Sequence, residues 1–206
     1  MITARLLFVA LLAASSLLNA QQTVNVHLNE KSKITIKGTT NLNKFEFIHT
    51  GKHIEHPELK LTLFKSDDKR YTLGDHKVGL LIKKFTSDDR LAQQAFYAMM
   101  DARRYPRLYV KLKQIEPLTV SPAMSSGKAQ LEITITGKSV VYDIPVTSEK
   151  KHPYWVLRGT KKLSIRDFGI TPPSVLGGLM QVNEWIDVSL DFYCRIDSNE
   201  TELAAK

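Results

Sequence analysis

Three histidines lie close together in the stretch IHTGKHIEHPE, namely His49, His53 and His56. Imidazoles that converge can hold a zinc ion, but H-x-x-x-H spacing supports zinc strongly only where a helix aligns two rings on one face. Gly51 and Pro57 interrupt this stretch, so the histidines are expected on a strand-end loop and no metal site is assigned. Cys194 is the single cysteine. Nothing in its run, WIDVSLDFYCRI, marks a partner or a base for it, and it reads as a buried apolar thiol. An intermolecular disulfide is the alternative, and a homodimer is one oligomeric state open to the chain. A nucleophilic serine of the kind carried by G-x-S-x-G is absent. Asp67 with Asp68 reads as a turn, and Asp88 with Asp89 as the start of a helix, rather than as acid–base pairs. No catalytic residue and no cofactor are expected.

The elements that must position these residues begin after an N-terminal leader. Residues 1–20, MITARLLFVALLAASSLLNA, place one positive charge at Arg5 before an apolar run from Leu6 to Leu12 that fades into small residues. That is the pattern of a signal peptide. Its apolar run is too short to span a bilayer, which takes roughly 20 apolar residues. Cleavage is expected after Ala20, giving a periplasmic or secreted protein. Residues 21–197 are long enough for one domain with a real core, and 198–206 form a polar tail whose Asn199–Glu200–Thr201 sequon reads as chance. Without an internal disulfide, stability must come from burial and strand pairing.

Apolar residues alternate with polar ones at period two through most of the domain. The sets include Val24, Val26 and Leu28; Ile34 and Ile36; Phe45 and Phe47; Leu59, Leu61 and Leu63; Val78, Leu80 and Ile82. The pattern resumes at Leu108, Val110 and Leu112, at Leu131, Ile133 and Ile135, at Tyr142, Ile144 and Val146, and along 155–165 and 185–196. About ten short, half-buried strands punctuated by Gly and Pro indicate an antiparallel sandwich or barrel. One segment departs from the alternation. In SDDRLAQQAFYAMMDARR, Ser87 is placed to cap a helix, Asp88 and Asp89 fall in its first turn, and Arg103 and Arg104 in its last. Leu91, Ala95, Ala98, Met99 and Ala102 share one stripe, with Phe96 and Met100 at its edge. Pro106 ends the helix near Tyr105. The net charge of +8 is spread as lysines through nearly every segment and describes a solvated basic surface, able to make transient contact with an anionic membrane. No basic and aromatic cluster of a nucleic-acid reader accompanies it, so no nucleic acid is expected.

Three stretches in order resemble the YceI-like family of exported polyisoprenoid-binding proteins: MMDARRYPRLYVKLKQIE, AQLEITITGKSVVYDIPV and LSIRDFGI. Leu131, Ile133, Ile135, Gly137, Ser139, Ile144, Pro145 and Val146 are similar to the family's strand-Gly-strand hairpin, and Asp167, Phe168, Gly169 and Ile170 to a short signature. SKITIKGTTNLNKFEF is similar to an opening hairpin. Val141 departs from a common proline, and the first hairpin lacks a usual His-Ser pair. The resemblance implies a mainly β fold: an extended, eight-stranded, antiparallel, lipocalin-like β-barrel with the amphipathic helix packed at or over it.

It also implies a long-chain lipid or isoprenoid held in the lumen. Residues expected to line the lumen are Ile34, Ile36, Phe45, Phe47, Leu61, Leu63, Leu80, Ile82, Phe96, Met99, Met100, Leu108, Val110, Leu131, Ile133, Ile135, Phe168 and Leu179. Each CH₂ taken from water is worth about 0.8 kcal/mol, so a long chain has ample driving force to leave water. The loop PPSVLGGLMQVNE, with Gly177, Gly178, Leu179 and Met180, is a candidate lip. Two other readings compete. A binding module would have a filled core and act through its basic surface, whereas an enzyme on a small amphipathic substrate would need converging polar groups.

Overall fold

The computed structural model describes residues 21–65, 71–74, 76–116, 119–120 and 124–198. The leader with its cut, the Asp67–Asp68 turn and the sequon in the tail lie outside the described residues. The first strands are β1 (Gln21–Leu28), β2 (Lys33–Thr39), β3 (Lys44–Thr50), β4 (Glu58–Lys65), β5 (Tyr71–Leu73) and β6 (Lys77–Leu81). A helix, α1 (Arg90–Met99), separates them from β7 (Arg107–Ile115), β8 (Thr119–Val120), β9 (Met124–Ile135), β10 (Lys138–Lys151) and β11 (Tyr154–Ser164). The chain ends through β12 (Ser174–Val175), β13 (Met180–Gln181) and β14 (Trp185–Ser198).

The antiparallel pairings run β1-β4-β5-β7-β9-β10-β11-β14, and β14 pairs again with β1, returning the order to its start. Eight strands therefore make the barrel. Two of its long strands each serve two shorter partners. β14 pairs with β2 from Asp187 to Asp191 and with β1 from Cys194 to Ser198. β7 pairs with β6 from Arg107 to Lys111 and with β5 at Gln114 and Ile115, with a bulge between Leu112 and Gln114. Where β1 gives way to β2, the buried Ser32 hydroxyl accepts a hydrogen bond from Tyr193 N at 3.0 Å, while Asn29 N donates to Tyr193 O at 2.8 Å. Backbone groups facing the break are thus still paired, as burial requires. On the far side of β3, Ile48 and Thr86 exchange two backbone hydrogen bonds of 2.9 Å, and Ile54 bridges Leu80. These bridges join β3 and the turn after it to β6 and the segment that leads into α1.

Alternation decides what faces inward. In β10, Ile144, Val146 and Ser148 are buried, whereas Val141, Asp143 and Pro145 are exposed. Leu131 and Ile133 of β9, Leu163 of β11, Ile186 and Leu190 of β14, and Ile34 and Ile36 of β2 join the same core. The signature 163–170 has a structural part in this. Ser164 Oγ accepts from Arg166 N and caps a short 3-10 turn, Ile165–Phe168, that ends at Gly169 with φ 75°. Ile165, Phe168 and Ile170 are buried, and Asp167 accepts a 2.7 Å hydrogen bond from Tyr142. Burial and that acidic acceptor both push the Tyr142 phenol well above its ordinary range.

Gly51 carries a tight crossing, because its N–H donates to Ser32 O and a Cβ there would overlap the Asn29 carbonyl oxygen. Backbone must then move, a strain of about 1–3 kcal/mol for overpacking. Gly51→Ala is expected to lower the urea midpoint accordingly, and an unchanged midpoint would show that the Asn29–Ser32 turn can yield.

Candidate functional site

Helix α1 starts two residues later than its spacing predicts. The cap is Asp89, whose carboxylate accepts from Leu91 N at 2.8 Å and Ala92 N at 3.0 Å, while Ser87 Oγ accepts from Asp89 N at 3.4 Å. A carboxylate bonded to two free N–H groups outcompetes a hydroxyl farther back. The helix also stops early, at Met99. Asp101 takes φ 43°, and its carbonyl receives the N–H groups of Arg104 and Tyr105, so Arg103 and Arg104 lie in the turn after the helix.

The helix's buried face differs from the expected stripe. Phe96 and Met100 sit at its centre, 4% and 3% exposed, whereas Leu91 and Ala98 are exposed and Ala95 is half-buried. Phe96 stacks on Phe47 of β3 with ring centroids 4.3 Å apart, and Phe85 packs on Phe96 at 5.7 Å. The Tyr97 hydroxyl lies 3.0 Å from both the Lys83 and Phe85 carbonyls, tying the helix to the segment before it. Aromatic bulk, rather than the alanines, seats the helix.

What the alanines do instead is wall a groove. Leu91, Ala92, Ala95, Phe96, Ala98 and Met99 of α1 face Phe45 and Phe47 of β3 on one side and Pro173, Met180 and Val182 on another, around a cavity of about 360 Å³. Thr40, Asn43, Asp89 and Gln94 supply its polar margin. This volume is near the lower end of small-molecule sites. Phe45 can lie flat at the wall because Gly38 stands opposite it on β2, where any Cβ would run into the ring.

The lip is tied down by one side chain. Asn41 Nδ2 donates to Leu179 O at 3.1 Å and its Oδ1 accepts from Gln181 N at 2.9 Å. Thr40 bridges Val182, and Gly177 and Gly178 take φ 67° and 99° to turn the hairpin between β12 and β13. The three most exposed large aliphatic side chains among the described residues surround this mouth: Leu179 at 74%, Leu42 at 69% and Leu91 at 66%. A second cleft of about 570 Å³ shares Phe45 and is rimmed by Lys37, Lys44, Lys162, Glu46 and Asp187 with Trp185. Lys37 pairs with Glu46 at 3.6 Å, and Lys162 sits 5.8 Å from the Trp185 ring centroid.

The residues expected to line a lumen are distributed as follows. Phe45, Phe47, Phe96 and Met99 meet at the groove. Ile34, Ile36, Leu80, Ile82, Met100, Leu108, Leu131, Ile133 and Phe168 are buried in one contiguous cluster, with Val110 and Ile135 half-buried against it. Leu61 is half-buried, Leu63 is in β4 with its side chain outside the described residues, and Leu179 stands in solvent. Sequence reasoning named the lip loop but not which of its residues wall the groove: Pro173 and Val182, which flank the β12–β13 hairpin and are joined by a 3.1 Å backbone hydrogen bond; it gave no role to Asn41, which holds that loop. It treated Leu91, Ala95 and Ala98 as core stripe, although their spacing was the signal for the groove wall.

The histidines part company. His49 is fully buried with neither ring nitrogen hydrogen-bonded, its ring centroid 4.9 Å from that of Phe85 and 6.2 Å from that of His53. Desolvation first, and the neighbouring His53 second, hold its pKa down at about 4 against a smaller opposing pull from the Thr50 backbone, which lies near the ring without forming a hydrogen bond of normal geometry. His53 Nδ1 lies 3.2 Å from Thr50 Oγ1. Among the described residues no three His, Cys, Asp or Glu side chains converge as a metal site. Cys194 is buried, and desolvation pushes its thiol up to about 12, so it stays protonated and unreactive at neutral pH.

No protein-family model matches the chain, and no curated protein matches it in sequence. Solved structures do match. Burkholderia cenocepacia BcnA is 15% identical, with a TM-score of 0.57 over 82% of this chain and 97% of that one. A polyisoprenoid binding domain from Saccharophagus degradans, implicated in plant cell wall breakdown, is 6% identical, with a TM-score of 0.57 over 84% of this chain and 98% of that one. A mutant CJ YCEI protein aligns over 68% of this chain at a TM-score of 0.45, too distant to argue from. The chain has the barrel fold of the first two.

Proposed function

We propose that this protein is an exported carrier that holds a polyisoprenoid or other long-chain lipid, without catalysis, and works in the periplasm or outside the cell. The observation that carries the reading is the groove between α1, β3 and the lip, which is walled mainly by apolar side chains, opens to solvent and is backed by the stacked rings of Phe47 and Phe96 against the barrel core. A polyisoprenoid binding domain with the same fold supports it. Among the described residues no helix is long and apolar enough to cross a membrane.

A lipid gains little by moving from a bilayer to a tunnel, so the carrier must accept it where water is excluded. Leu42, Leu91 and Leu179 stand around the mouth, suited to dip into the apolar edge of a bilayer. The net positive charge, +8 for the whole chain and +7 once the leader with Arg5 is removed, brings the protein to an anionic surface for this transient contact.

Organic extraction of protein purified from its native compartment, followed by mass spectrometry, should yield a stoichiometric long-chain lipid, and a repeatedly empty barrel would count against the carrier. Ala98→Trp offers a second test, since Ala98 is exposed and lines the groove. It should weaken uptake of a fluorescent long-chain probe by on the order of tenfold, about 1.4 kcal/mol. Stability should change by no more than about 0.5 kcal/mol, as for surface substitutions generally.

A further inference from the structure

The inward face of β3 carries Phe45, Phe47 and His49 at period two. The first two wall the groove, and His49 follows roughly 7 Å farther along the strand, beyond the groove lining. Aromatic rings link the positions: Phe47 stacks on Phe96, Phe96 packs on Phe85, and Phe85 packs on His49. At the inner end of this aromatic wall stands an imidazole that is 0% exposed and has no hydrogen-bond partner at either nitrogen.

Each buried polar group left unsatisfied costs about 1–3 kcal/mol, so such a group calls for a partner that the protein itself does not supply. Phenylalanine would fill much of the same space without that cost. Burial keeps the ring neutral at physiological pH, with His53 as the nearby titratable group acting in the same direction. A neutral imidazole presents one donor and one acceptor. A hydroxyl matches it on both sides. A carboxylate or phosphate ester would leave the acceptor nitrogen facing negative charge, and would itself lose water without gaining a counter-charge.

We propose that His49 is a ligand-binding residue that receives the hydroxyl of a long-chain alcohol, making the barrel selective for an uncharged polar end over an anionic one. The inference rests on the carrier reading and names the ligand class for it. The polar end travels inward and the chain trails into the groove, past a Phe47–Phe96 stack that must part to admit it.

Competition against a fluorescent long-chain probe, with hexadecane, hexadecanol and palmitate as competitors, tests this on the purified protein after lipid is stripped. Wild type should prefer hexadecanol over both others by on the order of tenfold, the worth of one net hydrogen bond. His49→Phe should still bind hexadecane but lose the preference for the alcohol, while His49→Gln, which keeps a donor and an acceptor, should restore part of it. Equal affinities for alcohol and alkane in wild type would overturn the proposal, as would a preference that survives in His49→Phe; a water then satisfies the ring. Binding of hexadecane without discrimination leaves the carrier standing and removes the role of His49, whereas no binding of any of the three removes both. A thermal melt at pH 7 confirms that each variant is folded.

Discussion

Phe96→Ala should lower the unfolding free energy by about 3–5 kcal/mol, the usual range for removing a buried aromatic ring. The ring is 4% exposed and contacts Phe47 and Phe85, so its loss removes the principal link between α1 and the barrel wall. Leu91→Ala on the same helix should change stability by less than about 0.5 kcal/mol, because Leu91 is 66% exposed. Urea unfolding followed by tryptophan fluorescence compares the two. A Phe96 variant as mild as the Leu91 variant would mean that the helix is not seated on the barrel. Because Phe96 and Leu91 both line the groove, both variants should lose affinity for the long-chain probe, and Leu91→Ala, at the exposed rim, should also reduce association with anionic vesicles.

Acidification from pH 7 to pH 4 should cost up to about 3 kcal/mol through His49, at 1.36 kcal/mol per pKa unit. Its pKa is about 4 in the folded protein against 6.5 as the ordinary value. Between those two values the unfolded chain holds a proton that the folded one does not, so stability rises with pH across the window and falls as acid is added. Two of the arginine-paired carboxylates, Glu55 and Glu149, act in a lower range. Arg107 hydrogen-bonds Glu55 at 2.6 and 2.9 Å, and Arg158 hydrogen-bonds Glu149 at 3.0 Å, which holds both carboxyls below their ordinary value of 4.5. Their contribution is present above 4.5 and is lost as pH falls through the folded values. Measured at several pH values between 7 and 4.5, stability should decline in wild type and much less in His49→Phe. Parallel curves for the two proteins would assign the decline to other groups.

Local pattern carried much of the architecture. Ile144, Val146 and Ser148 face inward because successive side chains on a strand point to opposite sides, an alternation that is clear in β10. The presence of one helix was equally legible, from carboxylates before an apolar stripe ahead of a proline. Its cap was misplaced by two residues because Ser87 and Asp89 both suit the role locally, and only the hydrogen bonds to Leu91 and Ala92 separate them. Its orientation was misjudged for a related reason. Alanine and methionine fit either a core or a groove wall, and the choice was made by Phe47 and Phe85 drawing Phe96 inward.

The sequence by itself therefore determined the strands, the helix and the expectation of a solitary apolar thiol, since each depends on residues a few positions apart, whereas which apolar face turns inward was left to the fold. Tertiary structure alone decided which chemistry-bearing residues stand near the groove. Asn41 reaches Leu179 across 138 positions, and Pro173 and Val182 complete a wall begun by β3 and α1. Among the three histidines first singled out, burial selected His49 and left His53 against Thr50, a distinction made by Phe85 rather than by spacing. Pairing in a barrel joins segments distant in the chain, and burial, desolvation and unmet hydrogen bonds exist only once those segments have met.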